Sequence, residues 1–564
     1  MHNFCPPFIH HSYNRSIWVL AITVFLFGCT SSTLPLPSSE APIQVSQTPF
    51  TQASQCSGKF IAHELPHITA QVVERVPYFI SNGSGLAVND LDNDDDLDLV
   101  LGNILGPNQI FWNEGDLNFR PETLFEGSTR AITIVDIEGD GWLDIVLTTR
   151  TSNVRLWRNT GTDQTSSVSR FVEATIPGVR SFAYSINWAD WDGDNDLDLV
   201  TASYDAALEK QLGDNYQQSN LNGVFVYEHQ ADRFEETARL QSRAQALAIE
   251  IVDLDQDSRP DILVGNDFDV PDYVWHRTDI GWQSATPFAE MTMSTMSFAS
   301  DDLNNDGQAE LFAADMHPYS DAPDMMAQWQ PVIDTMVHDL PPDDPQAMAN
   351  VLQTKDAQNR FSNVAEQSGI AATGWSWSAK FGDLDQDGYL DLYVVNGMTA
   401  MEIFSHLPND ELVEENQVYK NNGQGRFTAM PEWGLNSTYG GRSMSMADLD
   451  EDGDLDIIVN NLRQPAQIFE NQLCQGASLA VDLRWPSTNN TRAIGAKLTL
   501  KTSEGTYTRQ VRAASGYLSG SPSQIHFGIP SNSVIQHMDI VWPDGRLSRV
   551  TQLEPNHHIQ IVRE

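Results

Sequence analysis

Seven times along the chain a short apolar run follows an acidic nine-residue segment: LDLVL at 97–101, LDIVL at 143–147, LDLVT at 197–201, PDILV at 260–264, AELFA at 309–313, LDLYV at 390–394 and LDIIV at 455–459. Strand-like residues also precede each segment, so each acidic segment is predicted to join the two antiparallel strands of a hairpin. A second pattern follows: an apolar residue, an aromatic, any residue, Asn, then Gly and a later Phe. It reads IFWNEGDLNF ending at Phe119, LWRNTG with Phe171 beyond, VYEHQADRF ending at Phe234 and VYKNNGQGRF ending at Phe427. That supplies a third and a fourth strand. Four short strands in each of seven units predict an all-β, seven-bladed β-propeller.

The acidic segments carry the candidate chemistry. Oxygen-bearing side chains stand at positions one, three, five and nine: Asp90, Asp92, Asp94 and Asp98; Asp136, Glu138, Asp140 and Asp144; Asp190, Asp192, Asp194 and Asp198; Asp253, Asp255, Asp257 and Asp261; Asp302, Asn304, Asp306 and Glu310; Asp383, Asp385, Asp387 and Asp391; Asp448, Asp450, Asp452 and Asp456. Alternate positions of a tight loop aim at one point, and calcium accepts six to eight such oxygens at flexible geometry. Up to seven Ca²⁺ ions are therefore expected. An EF-hand is excluded, because the twelfth positions are Leu101, Leu147, Thr201, Val264, Ala313, Val394 and Val459, none able to supply a bidentate carboxylate. The sixth position favours a left-handed backbone and is Gly in four copies. Ser258 fits it least well, which ranks the fourth loop last.

The seventh unit runs QIFEN to Asn471 and then lacks its Gly and Phe, while CSGKF at 56–60 resembles the missing half. The strand from Phe60 is expected to complete the last blade. Cys56 and Cys474 then fall at neighbouring positions of one split turn and are expected to form a disulfide in an oxidising compartment.

Charge narrows the partners. The formal net charge is −45, which opposes nucleic acid and anionic membrane surfaces. Near the start, Arg15 precedes the apolar run from Ile17 to Phe27, followed by Gly28 and Cys29. The run is too short to span a bilayer and matches a secretion signal. LFGC resembles a bacterial lipobox, which implies cleavage before Cys29, acylation of its thiol and attachment to the outer membrane through the lipid alone. The expected organisation is a signal at 1–28, a Ser/Thr/Pro-rich tether at 29–55, the propeller at 56–474 and a small β domain at 475–564.

The loops resemble FG-GAP and VCBS repeats of integrin α-like propellers. NTRAIGAKLTL, RQVRAASGYLSGSPSQIHFGI and DIVWPDGRL resemble an ASPIC/UnbV domain, and GWSWSAKFGDLDQDGYLDLYVVNG resembles the propeller that accompanies it. The resemblance points to the family that includes cartilage acidic protein and implies calcium binding and an extracellular location. It supplies no molecular function.

A ligand is expected on the face opposite the acidic loops, where the insertions at 203–223 and 315–350 fall, long loops being common carriers of function. Arg130, Arg180, Arg243, Trp375, Trp377, Tyr439 and Arg442 are the candidates there, with inter-blade packing and carboxylate pairing as the plainer reading. No HExxH, G-x-S-x-G or Cys-x-x-Cys pattern is present. The primary expectation is a surface binding or adhesion module for a protein or glycan. The alternatives are a polysaccharide hydrolase or lyase with acids near the channel, or an envelope assembly platform.

Overall fold

The computed structural model describes residues 40–51, 55–71, 75–162, 169–268, 270–336, 344–356 and 358–564. The expected leader, Cys29 and the first part of the tether lie outside the described residues. Among the described residues no helix is long and apolar enough to cross a membrane.

The repeat units fold as successive four-stranded antiparallel sheets. Blade one is Leu86–Asn89, Asp98–Leu101, Pro107–Asn113 and Phe119–Glu126, and blade two is Ile132–Val135, Asp144–Leu147, Arg155–Asn159 and Phe171–Thr175. Blade three is Ser185–Ala189, Asp198–Ala202, Val224–Gln230 and Arg233–Gln241, and blade four is Ala246–Val252, Asp261–Asn266, Tyr273–Thr278 and Gly281–Ala285. Blade five is Ser297–Asp301, Glu310–Ala314, Val351–Lys355 and Phe361–Asn363. Blade six is Gly374–Gly382, Asp391–Asn396, Gln417–Asn421 and Phe427–Ala429, with Met316–His317 added at its edge. Blade seven is Gly441–Ala447, Asp456–Asn461, Pro465–Glu470 and, from the front of the chain, Ile61–Ile68.

The alternation of strand side chains explains why these sheets stack into a propeller. In blade one, Leu86, Val88, Leu99 and Leu101 pack with Ile458 and Ile468 of blade seven. Ala87, Val100 and Ile110, pointing the other way, pack with Ile132, Ile134 and Ile145 of blade two. Both faces of a blade are covered, so its inner strands read as unbroken apolar runs. The ring closes as the sequence predicts: Ile61 lies opposite Glu470 and Leu65 opposite Ala466. Cys56 and Cys474 form the disulfide, with Cα atoms 5.6 Å apart.

The C-terminal residues build two further four-stranded sheets. One has the order Ile43–Pro49, His557–Arg563, Ala477–Arg484, Ile525–Ile529, and the other Thr506–Gln510, Lys497–Thr502, Ile535–Val541, Leu547–Val550. The first strand corrects the tether reading. Residues 43–49 are paired antiparallel with the chain's last strand, Ile43 opposite Arg563 and Pro49 opposite His557. Ile43 and Val45 do alternate with polar residues, but the hydrogen-bonding partner lies at the far end of the chain and leaves no local signal.

Residues 39–564 form one unit, and the C-terminal sheets sit on the side of the acidic loops. Asn490 N–H donates to Asn195 O at 3.1 Å, Thr491 Oγ1 to Asp136 Oδ2 at 2.7 Å and Arg492 Nη2 to Asn93 Oδ1 at 2.8 Å. From this cap the loop 513–522 enters the centre of the ring. Gly520 N–H donates to Leu86 O at 2.9 Å, Gly516 N–H to Phe298 O at 3.1 Å and Tyr517 N–H to Ser378 Oγ at 3.2 Å, each on a different inner strand. A side chain on Gly520 would lie 2.7 Å from the Ala87 Cβ, so close approach explains the glycine. Tyr517, fully buried, donates from its hydroxyl to Asn82 O at 2.9 Å.

The two long insertions differ from expectation, since both carry structure of their own. Residues 203–223 contain the helix Asp205–Leu212 and the 3₁₀ turn Gly213–Ser219, and the second insertion contains the helix Pro323–Met336. Met325, Trp329, Val332 and Ile333 have helical spacing, which Pro331 inside the same segment disguises.

Candidate metal centres

Each acidic loop is a tight turn held by its own carboxylates. The sixth residue takes the left-handed backbone in all seven, from φ 69° at Ser258 to φ 93° at Gly453. Ser258 therefore adopts the shape its neighbours adopt. The fourth residue is left-handed as well, at Asn93, Gly139, Gly193, Gln256, Asn305, Gln386 and Glu451. That feature escapes the sequence because four residue types share the position. The N–H of position six donates to the position-one carboxylate at Gly141, Asn195, Ser258, Gly307, Gly388 and Gly453, at 2.8 to 3.0 Å.

Positions one, three and five converge. Their oxygens lie within 4.8 Å of one another in Asp90–Asp92–Asp94, Asp190–Asp192–Asp194, Asp253–Asp255–Asp257 and Asp383–Asp385–Asp387. Position nine has a further task. One of its oxygens accepts the N–H of position two in every loop, as in Leu91 to Asp98 at 3.1 Å and Trp191 to Asp198 at 2.7 Å. The other accepts a backbone N–H from the third strand, from Asn113, Asn159, His229, Arg277, Asn421 and Asn471. The acid at the end of the loop thus locks hairpin to third strand.

The loop carboxyls are short of positive charge. Burial first, and neighbouring carboxylates after it, push Asp98 up to about 8 and Asp144 and Asp198 up to about 9. Asp391 and Asp456 are held well above the usual carboxylate range for the same reasons. Position seven, not singled out from the sequence, is acidic in three loops; Asp96 is pushed up to about 9, Asp196 to about 8 and Asp454 to about 11. Buried oxygens of Asp90, Asp92, Glu138, Asp385 and Asp450, and both of Asp454, have no hydrogen-bond partner. Leaving a buried carboxylate oxygen unpaired is costly, so a row of them marks a place for cations. Four loops already hold a protein cation: Arg484 lies 3.8 Å from Asp90 and Arg170 4.0 Å from Asp92, Arg158 meets Glu138, Arg259 meets Asp257 at 2.6 Å, and Lys420 meets Asp385 and, at 2.9 Å, Asp387. In the fourth loop His276 Nδ1 also lies 2.9 Å from Asp261.

The Asn of the second sequence motif links neighbouring blades. Its side chain donates to the position-two carbonyl of the preceding loop: Asn113 to Leu449 at 2.9 Å, and Asn159 to Leu91, Asn421 to Leu303 and Asn471 to Leu384, each at 2.8 Å. Arg277 reaches Trp191 O and Lys355 reaches Leu254 O from the same place in their blades.

On the opposite side the structure divides the candidate ligand residues. Arg130 and Arg442 are buried and correct the expectation of an anion-holding rim. Arg130 donates to the carbonyls of Gly83 and Phe79, and Arg442 to those of Ser81, Gly397 and Gly441 while lying 4.4 Å over the Trp377 ring. They pin the turn around Tyr78–Ser81 across the ring. Trp375 and Trp377 are also buried, Trp375 against Trp329 and Phe404. Arg180 and Arg243 are exposed, Arg243 lying 3.8 Å from Asp205, and the Tyr439 hydroxyl donates to Glu64 at 2.7 Å. Because loop 513–522 fills the centre of the ring, the channel that the hydrolase or lyase alternative invokes is occupied by the chain itself.

Comparison with known proteins agrees with the repeat and the cap. The FG-GAP-like repeat family matches residues 90–147, 136–201 and 399–459, and the ASPIC and UnbV family matches residues 486–564. No curated protein sequence matches the chain. Among solved structures, BBS1N in complex with ARL6DN, soaked with mercury, has a TM-score of 0.40 at 9% identity and covers 73% of this chain and 96% of its own. The same complex soaked with lead has a TM-score of 0.41 at 8% identity, covering 75% and 98%. The chain is an FG-GAP-repeat β-propeller protein with a C-terminal ASPIC/UnbV domain.

Proposed function

We propose that the acidic loops bind calcium, up to one ion in each of the seven, and that the ions brace an exported, lipid-anchored binding or adhesion module for a protein or glycan. The unpartnered, buried carboxylate oxygens repeated from loop to loop carry the calcium reading. Oxygen-only ligand sets at alternate positions suit a hard cation of flexible coordination. Calcium here is structural, since the C-terminal domain covers the loop side. The binding surface is then the opposite face, where the helices Asp205–Leu212 and Pro323–Met336 project. Export rests on the leader sequence before Cys29.

The test is retention of a protein or glycan on the immobilised full chain, in calcium and in chelator. Retention in calcium that is lost in chelator, and lost again when exposed residues of these two helices are replaced, supports the reading. Retention indifferent to both changes contradicts it, and turnover of an added polysaccharide would favour the enzymatic alternative.

A further inference from the structure

The face opposite the loops holds a cavity of about 470 Å³ beneath the helix Pro323–Met336, within the size range of small-molecule sites. Its wall is aromatic, from Trp375, Trp377, Phe268 and Tyr78, with three methionines filling between them. Such a wall suits an apolar guest, and methionine adapts to its shape.

Its charge is one-sided. Asp267 and Glu402 line the cavity, and among the described residues no Lys, Arg or His does. Asp267 is 5% exposed; one oxygen accepts from the Tyr204 hydroxyl at 2.5 Å, the other from the Phe268 N–H at 2.9 Å. Among the described residues no cationic side chain pairs with it. Burial holds its carboxyl above the usual range, the condition a bound cation would relieve. Arg442, the cation over Trp377, does not line the cavity; its Nε–H and Nη1–H donate to three backbone carbonyls, and its buried Nη2 has no partner. Aromatic faces beside a buried acid, with no base among the lining residues, are the chemistry that selects an organic ammonium.

We propose that this cavity binds a small, largely apolar organic amine in its protonated form, the ammonium at Asp267 and the hydrocarbon part against Trp375 and the methionines. The site is separate from the calcium loops. Naphthylmethylamine and naphthoate, which share a ring and differ in charge, are titrated by calorimetry into the full chain with calcium present. The amine is expected to bind at least about tenfold more tightly than the carboxylate. Val332→Trp and Thr335→Trp, which fill the cavity from the helix, should each abolish binding. Asp267→Asn should lower the amine's advantage about tenfold with the melting transition retained. If Val332→Trp fails to fold, Thr335→Trp, at an exposed position, decides the matter. Equal affinity for the two probes, no binding of the amine, or amine binding untouched by the filling variants that fold would overturn the proposal.

Discussion

At the scale of single residues, two recurring side chains, the position-nine acid in six repeats and an Asn in four, hold the propeller together without metal. The position-nine acid joins its hairpin to the third strand, and the Asn that follows joins one blade to the loop of the blade before. Asn421 shows the arrangement fully: its side chain donates to Leu303 O and Leu390 O and accepts from Gly423 N–H. Asn421→Ala would strand two buried carbonyls and is expected to destabilise by about 1–3 kcal/mol. The exposed neighbour changed as Gln424→Ala should cost no more than about 0.5 kcal/mol. Equal denaturant midpoints for the two variants would contradict the linking role. The motif was legible in the sequence as a spacing; its purpose was not, because the carbonyl it meets belongs to another repeat. The left-handed sixth position was legible through its glycines. Ser258 shows that a loop geometry held by backbone N–H bonds to the loop's own carboxylates overrides the preference of one residue.

At the scale of elements, the ring is closed by a strand from the front of the chain and a disulfide beside it. Cys56→Ser should lower stability by up to about 5 kcal/mol on the loop-entropy account, with Ile61–Ile68 the first strand to lose hydrogen-exchange protection. Uniform loss of protection across all blades would contradict that local role. The split blade could be read from the sequence, since the missing half of one repeat stood at the other end. The strand at 43–49 and the cap loop could not, because their partners are hundreds of residues away and their pattern is that of an ordinary surface segment. Tyr517 makes the loop's deepest contacts, with Asn82 O and with the Trp377 ring at 5.2 Å. Tyr517→Ala is expected to cost about 3–5 kcal/mol and to expose the inner strands. A change below about 1 kcal/mol would show that the loop is not needed to fill the ring.

At the scale of the whole molecule, the account turns on electrostatics. Without metal, loop acids such as Asp98, Asp144 and Asp198 have folded-state values of about 8 to 9, above the unfolded value of 3.8. The folded protein then binds protons more tightly than the unfolded chain, so its stability falls as pH rises through this interval. Acids held low by arginine, such as Asp539, work in the opposite direction but only near or below the ordinary carboxylate range. His526, lowered to about 4 by burial, also opposes the trend, below about pH 6.5. The metal-free melting temperature should therefore fall between about pH 7 and pH 9, and calcium should flatten that slope by favouring the ionised acids. A metal-free melt that rises over this window would contradict the assignment. The most direct test is the melting temperature of the full chain at neutral pH with excess calcium and with chelator. A cation bound only by the folded state stabilises it by mass action, so the account predicts a clear rise in calcium that chelator reverses. Superimposable melts would contradict it.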